Sequence, residues 1–287
     1  MRKTLLITTL IGVAFFAAQA QQPAGKKGGG QPVQPIQQVK PGLYMVGGGG
    51  ANSLVRVTKE GVILVDAKLP SDQNYSGLIG QIKSVTDQPV KYVIVTHHHA
   101  DHTGNNAKFL EAGAQVIAHE NLKKNLLTYK SDPLPAPPNV TYAKDYVVRL
   151  GGVEVQLHYY GPSHTSGDTM VYFPDLKVVA ASDTVTPGAP LIDYGGGGSA
   201  LGFVQVLDSI LKLDFDTCIP GAGNSMTKAD VQAYKTKFET IISRATDLVR
   251  KGVPKEQLLA QIKTDDIGWS LRVPDVGALY EELSKAK

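Results

Sequence analysis

The run Thr96 to Asn105, THHHADHTGN, constrains this chain more than any other stretch. Four histidines and an aspartate fall between His97 and His102, directly after the β-branched run Val93, Ile94, Val95. A strand that ends in His-x-His-x-Asp-His delivers imidazoles and a carboxylate from one tight loop into one small volume. Nitrogen and oxygen donors crowded in this way suit borderline-soft divalent cations, zinc first among them.

The surrounding pattern supplies the strands and helices to carry such a loop. Leu43 to Val46, Ser53 to Val57 and Val62 to Val65 read as strands separated by glycine and polar turns. Leu78, Ile79, Ile82 and Val85 recur at helical spacing within Tyr75 to Val85, and Val90 to Val95 reads as a buried strand, so the histidine loop closes a β-α-β step. Gly104 to Ala112 and Asn121 to Leu127 read as helices around a strand at Gln115 to Ala118. A second set of strands follows at Val147 to Leu150, Val153 to Tyr159, Thr169 to Phe173 and Val178 to Ala181, joined by tight turns. Ala200 to Leu213 and Lys228 to Arg250 are helical by spacing. Sheet with helices, then sheet with helices, is compatible with two sheets packed face to face and helices outside.

Composition is that of an ordinary globular chain, 42% hydrophobic and 19% charged over 287 residues. The net charge is +3, and only +1 without Arg2 and Lys3 (27 basic against 26 acidic), so nucleic acid is not an expected partner. Arg2 and Lys3, the apolar run Leu5 to Ala17 and Ala18-Gln19-Ala20 form an export signal cleaved near Ala20, which implies a periplasmic or secreted protein. The apolar run is short of the roughly 20 residues a spanning helix needs, so no stable membrane insertion is expected after cleavage. Residues 21–40 are rich in Gln, Pro and Gly and read as a disordered linker. Cys218 is the only cysteine, so no intrachain disulfide can form. Residues 253–287 read as a short helical tail whose apolar positions pack on the domain or on a partner.

THHHADHTGN, together with GPSHTSGDTMVYFP from Gly161 to Pro174, resembles the signature blocks of the metallo-β-lactamase fold superfamily. The likeness runs from about Pro41 to Arg250, and the domain is set at 41–252. It implies an α+β fold, a four-layer αββα sandwich of two packed mixed β-sheets with outer helices and metals at one rim. Carried over position by position, His97, His99 and His164 would hold a first zinc and leave a place for water. Asp101, His102 and Asp183 would face a second metal, with Asp101 also serving catalysis by orienting the attacking hydroxide. Asp66 would support the metal loop from behind, and Thr165, beside Asp168, would brace the second block. Where the family places a further histidine ligand, after Pro220 and Gly221, this chain has Ala222. A methyl group cannot coordinate, so one tight zinc and a weak or absent second one are expected. His98, His119 and His158 are read as structural.

The resemblance implies a metal-dependent hydrolase of small molecules, in which hydroxide attacks an ester, lactone, amide or related bond. Two alternatives stand beside it. One is a β-lactamase proper, against which Thr186 counts, because the cysteine-ligand enzymes carry lysine at that spacing. The other is a catalytically weakened metal-binding module, for which Ala222 speaks. Gly47 to Gly50 and Gly195 to Gly198 are flexible by composition and are expected in loops bordering the metal rim, where they either gate substrate or are plain solvent loops. The oligomeric state is not readable from the sequence.

Overall fold

The computed structural model describes residues 30–286, so residues 1–20, read as an export signal, and residues 21–29 of the expected linker lie outside the described residues. The first half of the fold starts antiparallel, with β1 Gln37–Lys40, β2 Leu43–Val46, β3 Ser53–Val57 and β4 Val62–Val65. It then turns parallel. Helix α1, Asp72–Lys83, crosses to β5 Val90–Ile94; α2 Ala100–Thr103 and α3 Asn106–Glu111 lead to β6 Gln115–His119; α4 Glu120–Asn125 precedes β7 Val140–Tyr142. These strands form one seven-stranded sheet in the order β1 to β7. The change from antiparallel to parallel falls at β4, where a hairpin connection gives way to helical crossovers.

The second sheet contains β8 Asp145–Leu150, β9 Val153–His158, β10 Met170–Phe173, β11 Val178–Ser182, β12 Thr217–Pro220 and β13 Met226–Thr227, in the order β13-β12-β11-β10-β9-β8. Helix α5, Ala200–Lys212, makes the crossover from β11 to its parallel neighbour β12. Three further helices follow: α6 Lys228–Arg250, α7 Lys255–Gln261 and α8 Val276–Lys285.

Strands buried on both faces explain why β4, β10 and β11 are nearly continuous apolar runs. Ile63 and Val65 of β4 point into the core between the sheets, whereas Val62 and Leu64 point to the layer of α1, α3 and α4. Val171 and Phe173 of β10 meet the same inter-sheet core, whereas Met170 and Tyr172 pack with Phe203 of α5 and Phe238 of α6. Alternation on each sheet thus produces three apolar layers, and with them the αββα sandwich.

One expectation about the chain ends is corrected and the other is met. The linker does not extend to Lys40: Gln37–Lys40 is a strand paired with β2, and Gln34 N–H donates to Gly47 O at 2.9 Å. Side chains such as Val33 and Ile36 supply enough apolar contact with the α1 layer to order this stretch despite its polar composition. At the other end, residues 253–286 are helical and pack on the domain, as their apolar pattern implied. Leu258, Leu279 and Leu283 are fully buried in the core of α5 and α6, and Glu282 accepts hydrogen bonds from Ser199 Oγ and Ala200 N–H at the start of α5. Sequence patterning also missed β7 and the single turn α2, both too short to show a period.

Candidate metal centre

Four strand ends from the two sheets converge on one rim. Val65 of β4 and Ile94 of β5 are register partners, so Asp66 and Thr96 leave the first sheet side by side. Ser182 of β11 and Pro220 of β12 pair likewise in the second sheet, so Asp183 and the loop from Gly221 leave it together. Thr169 N–H donates to Thr96 O at 2.8 Å and holds the rims of the two sheets to each other.

His97, His99 and His164 are brought together here. His99 Nδ1 lies 3.1 Å from His97 Nε2 and 3.1 Å from His164 Nε2. The opposite nitrogen of each ring fixes its proton. His99 Nε2 donates to Asp193 Oδ2 at 2.9 Å, and His164 Nδ1 donates to Leu191 O at 2.8 Å; both acceptors lack a hydrogen to give. His97 Nδ1 faces Thr96 Oγ1 at 3.3 Å, and that hydroxyl has the Asp66 carboxylate at 2.9 Å to take its own hydrogen. Three lone pairs therefore point at one another. Ring nitrogens around a tetrahedral zinc are about 3.3 Å apart, so the spacing matches a cation held at the centre of the three. Burial, followed by the neighbouring imidazoles, holds the pKa of His97 well below the usual histidine value, which keeps it a lone-pair donor.

A second group contains His97, His102 and Asp183, whose potential ligand atoms all lie within 4.8 Å of one another. His102 Nδ1 donates to Asp66 Oδ2 at 2.7 Å, and its Nε2 is buried without a hydrogen-bond partner among the described residues. Asp183 Oδ1 is 3.5 Å and Asp101 Oδ2 3.7 Å from that nitrogen. Burial opposes charge on His102, but Asp66 and Asp101 outweigh it and lift its pKa well above the usual value. The field that draws a proton to this nitrogen would equally draw a metal ion. Asp183 rests directly on Gly221, where a Cβ would come within 1.9 Å of Oδ1, so only glycine fits that position.

Asp66 has φ 61° and its carboxylate also accepts from Thr96 N–H at 2.9 Å, which places it behind His102 and Thr96 rather than in the donor cluster. Thr165 and Ser163 both donate to Asp168, so the loop carrying His164 is tied internally. His119 stacks on Tyr159, and His158 pairs with Asp145 at 2.8 Å; neither faces the cluster. His98 is different. It is buried beside Asp193 and Asn125, and with His99 and Asp193 forms a third group with ligand-like spacing. Burial and then His99 lower the pKa of His98 to about 3.

Sequence reasoning missed Asp193. Burial would raise its pKa, but bonding to His99 and to the Gly196 N–H brings it down to about 2, so it stays an acceptor. It stands 94 positions from His99 in LIDYGGGG, where the only local signal is a turn-forming residue before a glycine run. The two glycine runs are packed and not free loops. Gly49 N–H donates to Gln31 O at 2.8 Å, and a Cβ at Gly48 would meet Pro32 O at 2.0 Å. From beneath, buried Lys68 donates to Val46 O and Ala51 O, at either end of Gly47 to Gly50. Gly198 is pressed against His164 O, where a Cβ would come within 2.5 Å.

A cavity of about 280 Å³ opens onto the second group and is lined by Asp101, Asp183, Ala222, Asn224 and Arg272, with Gln34 on its N-terminal side. Asn52 fixes the Ala222 loop by donating to Pro220 O at 3.0 Å and Gly223 O at 2.9 Å.

A family model for the metallo-beta-lactamase superfamily matches residues 46–222. The chain belongs to this superfamily. Among curated relatives, the 2,4-dinitroanisole O-demethylase subunit alpha of Nocardioides sp. (strain JS1661) is 30% identical over 167 residues, 58% of this chain and 50% of that protein. Metallo-beta-lactamase IND-1 of Chryseobacterium indologenes is 33% identical over 129 residues, 45% of this chain and 52% of that protein. The matches thus span about half the length of these two relatives. Among solved structures, the inverting sec-alkylsulfatase Pisa1 from Pseudomonas sp. superposes with a TM-score of 0.70 at 18% identity, over 88% of this chain and 50% of that one, and so shares the fold. The seven- and six-stranded mixed sheets with their outer helices are the superfamily sandwich.

Proposed function

We propose that this chain is an exported, zinc-dependent hydrolase of small molecules. One observation carries the reading: three imidazole nitrogens, each ring with an acceptor on its far side, gather within 4.8 Å of one another, with His99 Nδ1 3.1 Å from each of the other two. His97, His99 and His164 would hold the first zinc, and His102, Asp101 and Asp183 would offer a weaker second position. When bound, zinc supplies Lewis-acid polarisation of the scissile group and a water of pKa near ~7. The chain's own residues do the rest. Asp101 lines the cavity and is partly exposed, so it is placed to hold a proton and deliver it to the leaving group. Asp66 and Asp193 keep His102 and His99 in the tautomers that present lone pairs inward. Export rests on the N-terminal signal at residues 1–20.

A β-lactamase proper is the second reading, and the similarity to IND-1 favours it. Thr186 lines the cavity at the spacing where a lysine would bind a drug carboxylate, so that particular cation is missing. A weakened metal-binding module is the third, on the strength of Ala222. A panel of ester, lactone, phosphodiester and β-lactam substrates separates the three. Turnover that chelator abolishes and zinc restores is the expected result; no turnover of any class by zinc-saturated protein would refute the hydrolase reading.

A further inference from the structure

Arg272 reaches the metal cavity from the far end of the chain, about 50 residues beyond the last matched residue, Ala222. Its backbone is pinned there. Leu191 and Arg272 form a parallel β-bridge, Ile192 N–H donates to Arg272 O at 3.3 Å, and Leu191 O is the acceptor that orients His164. The segment is extended, so neighbours alternate: Val273 is buried, Leu271 packs on the same core, and Arg272 faces the opposite way, into the cavity. Its guanidinium makes no hydrogen bond or ion pair with any described residue.

We infer that Arg272 is a specificity-determining residue that anchors a carboxylate on the substrate, remote from the bond being cleaved. The inference rests on the hydrolytic reading of the same cavity and narrows its substrate class to anionic esters, lactones or amides. A planar guanidinium with no partner among the described residues, and the one cation lining a cavity whose other charged residues are Asp101 and Asp183, offers a two-pronged match to a carboxylate. The two acidic residues lining the cavity, Asp101 and Asp183, stand 3.7 and 3.5 Å from His102 Nε2. Ala222 leaves open the space that an imidazole would fill, and that space is continuous with Arg272.

The test is calorimetric titration of zinc-loaded protein with succinate, glutarate and adipate, against butyrate. The best-fitting dicarboxylate is expected to bind at least about tenfold more tightly than butyrate, one charged hydrogen-bonded pair being enough for that ratio. Arg272→Gln should erase the difference while leaving butyrate binding unchanged, and Arg272→Lys should keep part of it. Equal binding of mono- and dicarboxylates by the unmodified protein, or a loss in Arg272→Gln that is the same for both, would overturn the anchor. These titrations do not depend on turnover, so a chain that hydrolyses nothing can still show the anchor. Conversely, ester hydrolysis indifferent to substrate charge would sink the anchor alone.

Discussion

The two halves of the candidate metal centre both draw histidines from the loop His97 to His102, yet they are supported differently. Around His97, His99 and His164 every donor is an imidazole, and each ring has an acceptor on its outer nitrogen. Around His102 one imidazole is backed by Asp66, two carboxylates stand 3.5 and 3.7 Å from its free nitrogen, and Ala222 lines the cavity that opens onto the group. Charge concentrates on the second side and imidazoles on the first. An uncancelled divalent charge suits water activation, whereas a carboxylate-rich position with a missing ligand suits a loosely held ion or a proton.

The largest effect that would sharpen this contrast comes from ligand removal. His99→Ala should cost at least about a thousandfold in kcat/KM and release the tight zinc, while His102→Ala should cost about ten- to a hundredfold and leave the tight zinc in place. Equal losses, measured with metal content on the same samples, would break the distinction. A smaller effect is expected behind the ligands. Asp193→Asn should weaken the tight zinc by about ten- to a hundredfold without changing the second position, because it leaves the His99 ring without a charged acceptor. Zinc affinity measured by competition with a coloured chelator reads this directly; an unchanged value would show that the His99 tautomer is held by something else.

The histidine loop, the β4 and β5 strands and the second signature block were legible because each is local: a burial run, a turn, and donors a few residues apart. His102 backed by Asp66 was readable by resemblance. Asp193 and Arg272 were not, since each is delivered to the rim by a loop or extended segment with no period, and its partners lie far along the chain. The glycine runs misled for a related reason. Composition records the freedom of glycine but not the strap of residues 31–34 laid across Gly47 to Gly50, and it is that contact which requires the glycines. Residues 30–40 were likewise read as disordered from the average composition of 21–40, although Val33 and Ile36 pack against the α1 layer.

Zinc titration of the metal-free protein, followed by calorimetry and closed by metal analysis, tests the asymmetry most directly. One zinc should bind tightly and a second at least about tenfold more weakly, with Ala222→His closing most of that gap by supplying the missing imidazole. Two equally tight zincs in the unmodified chain, with no change in Ala222→His, would contradict it.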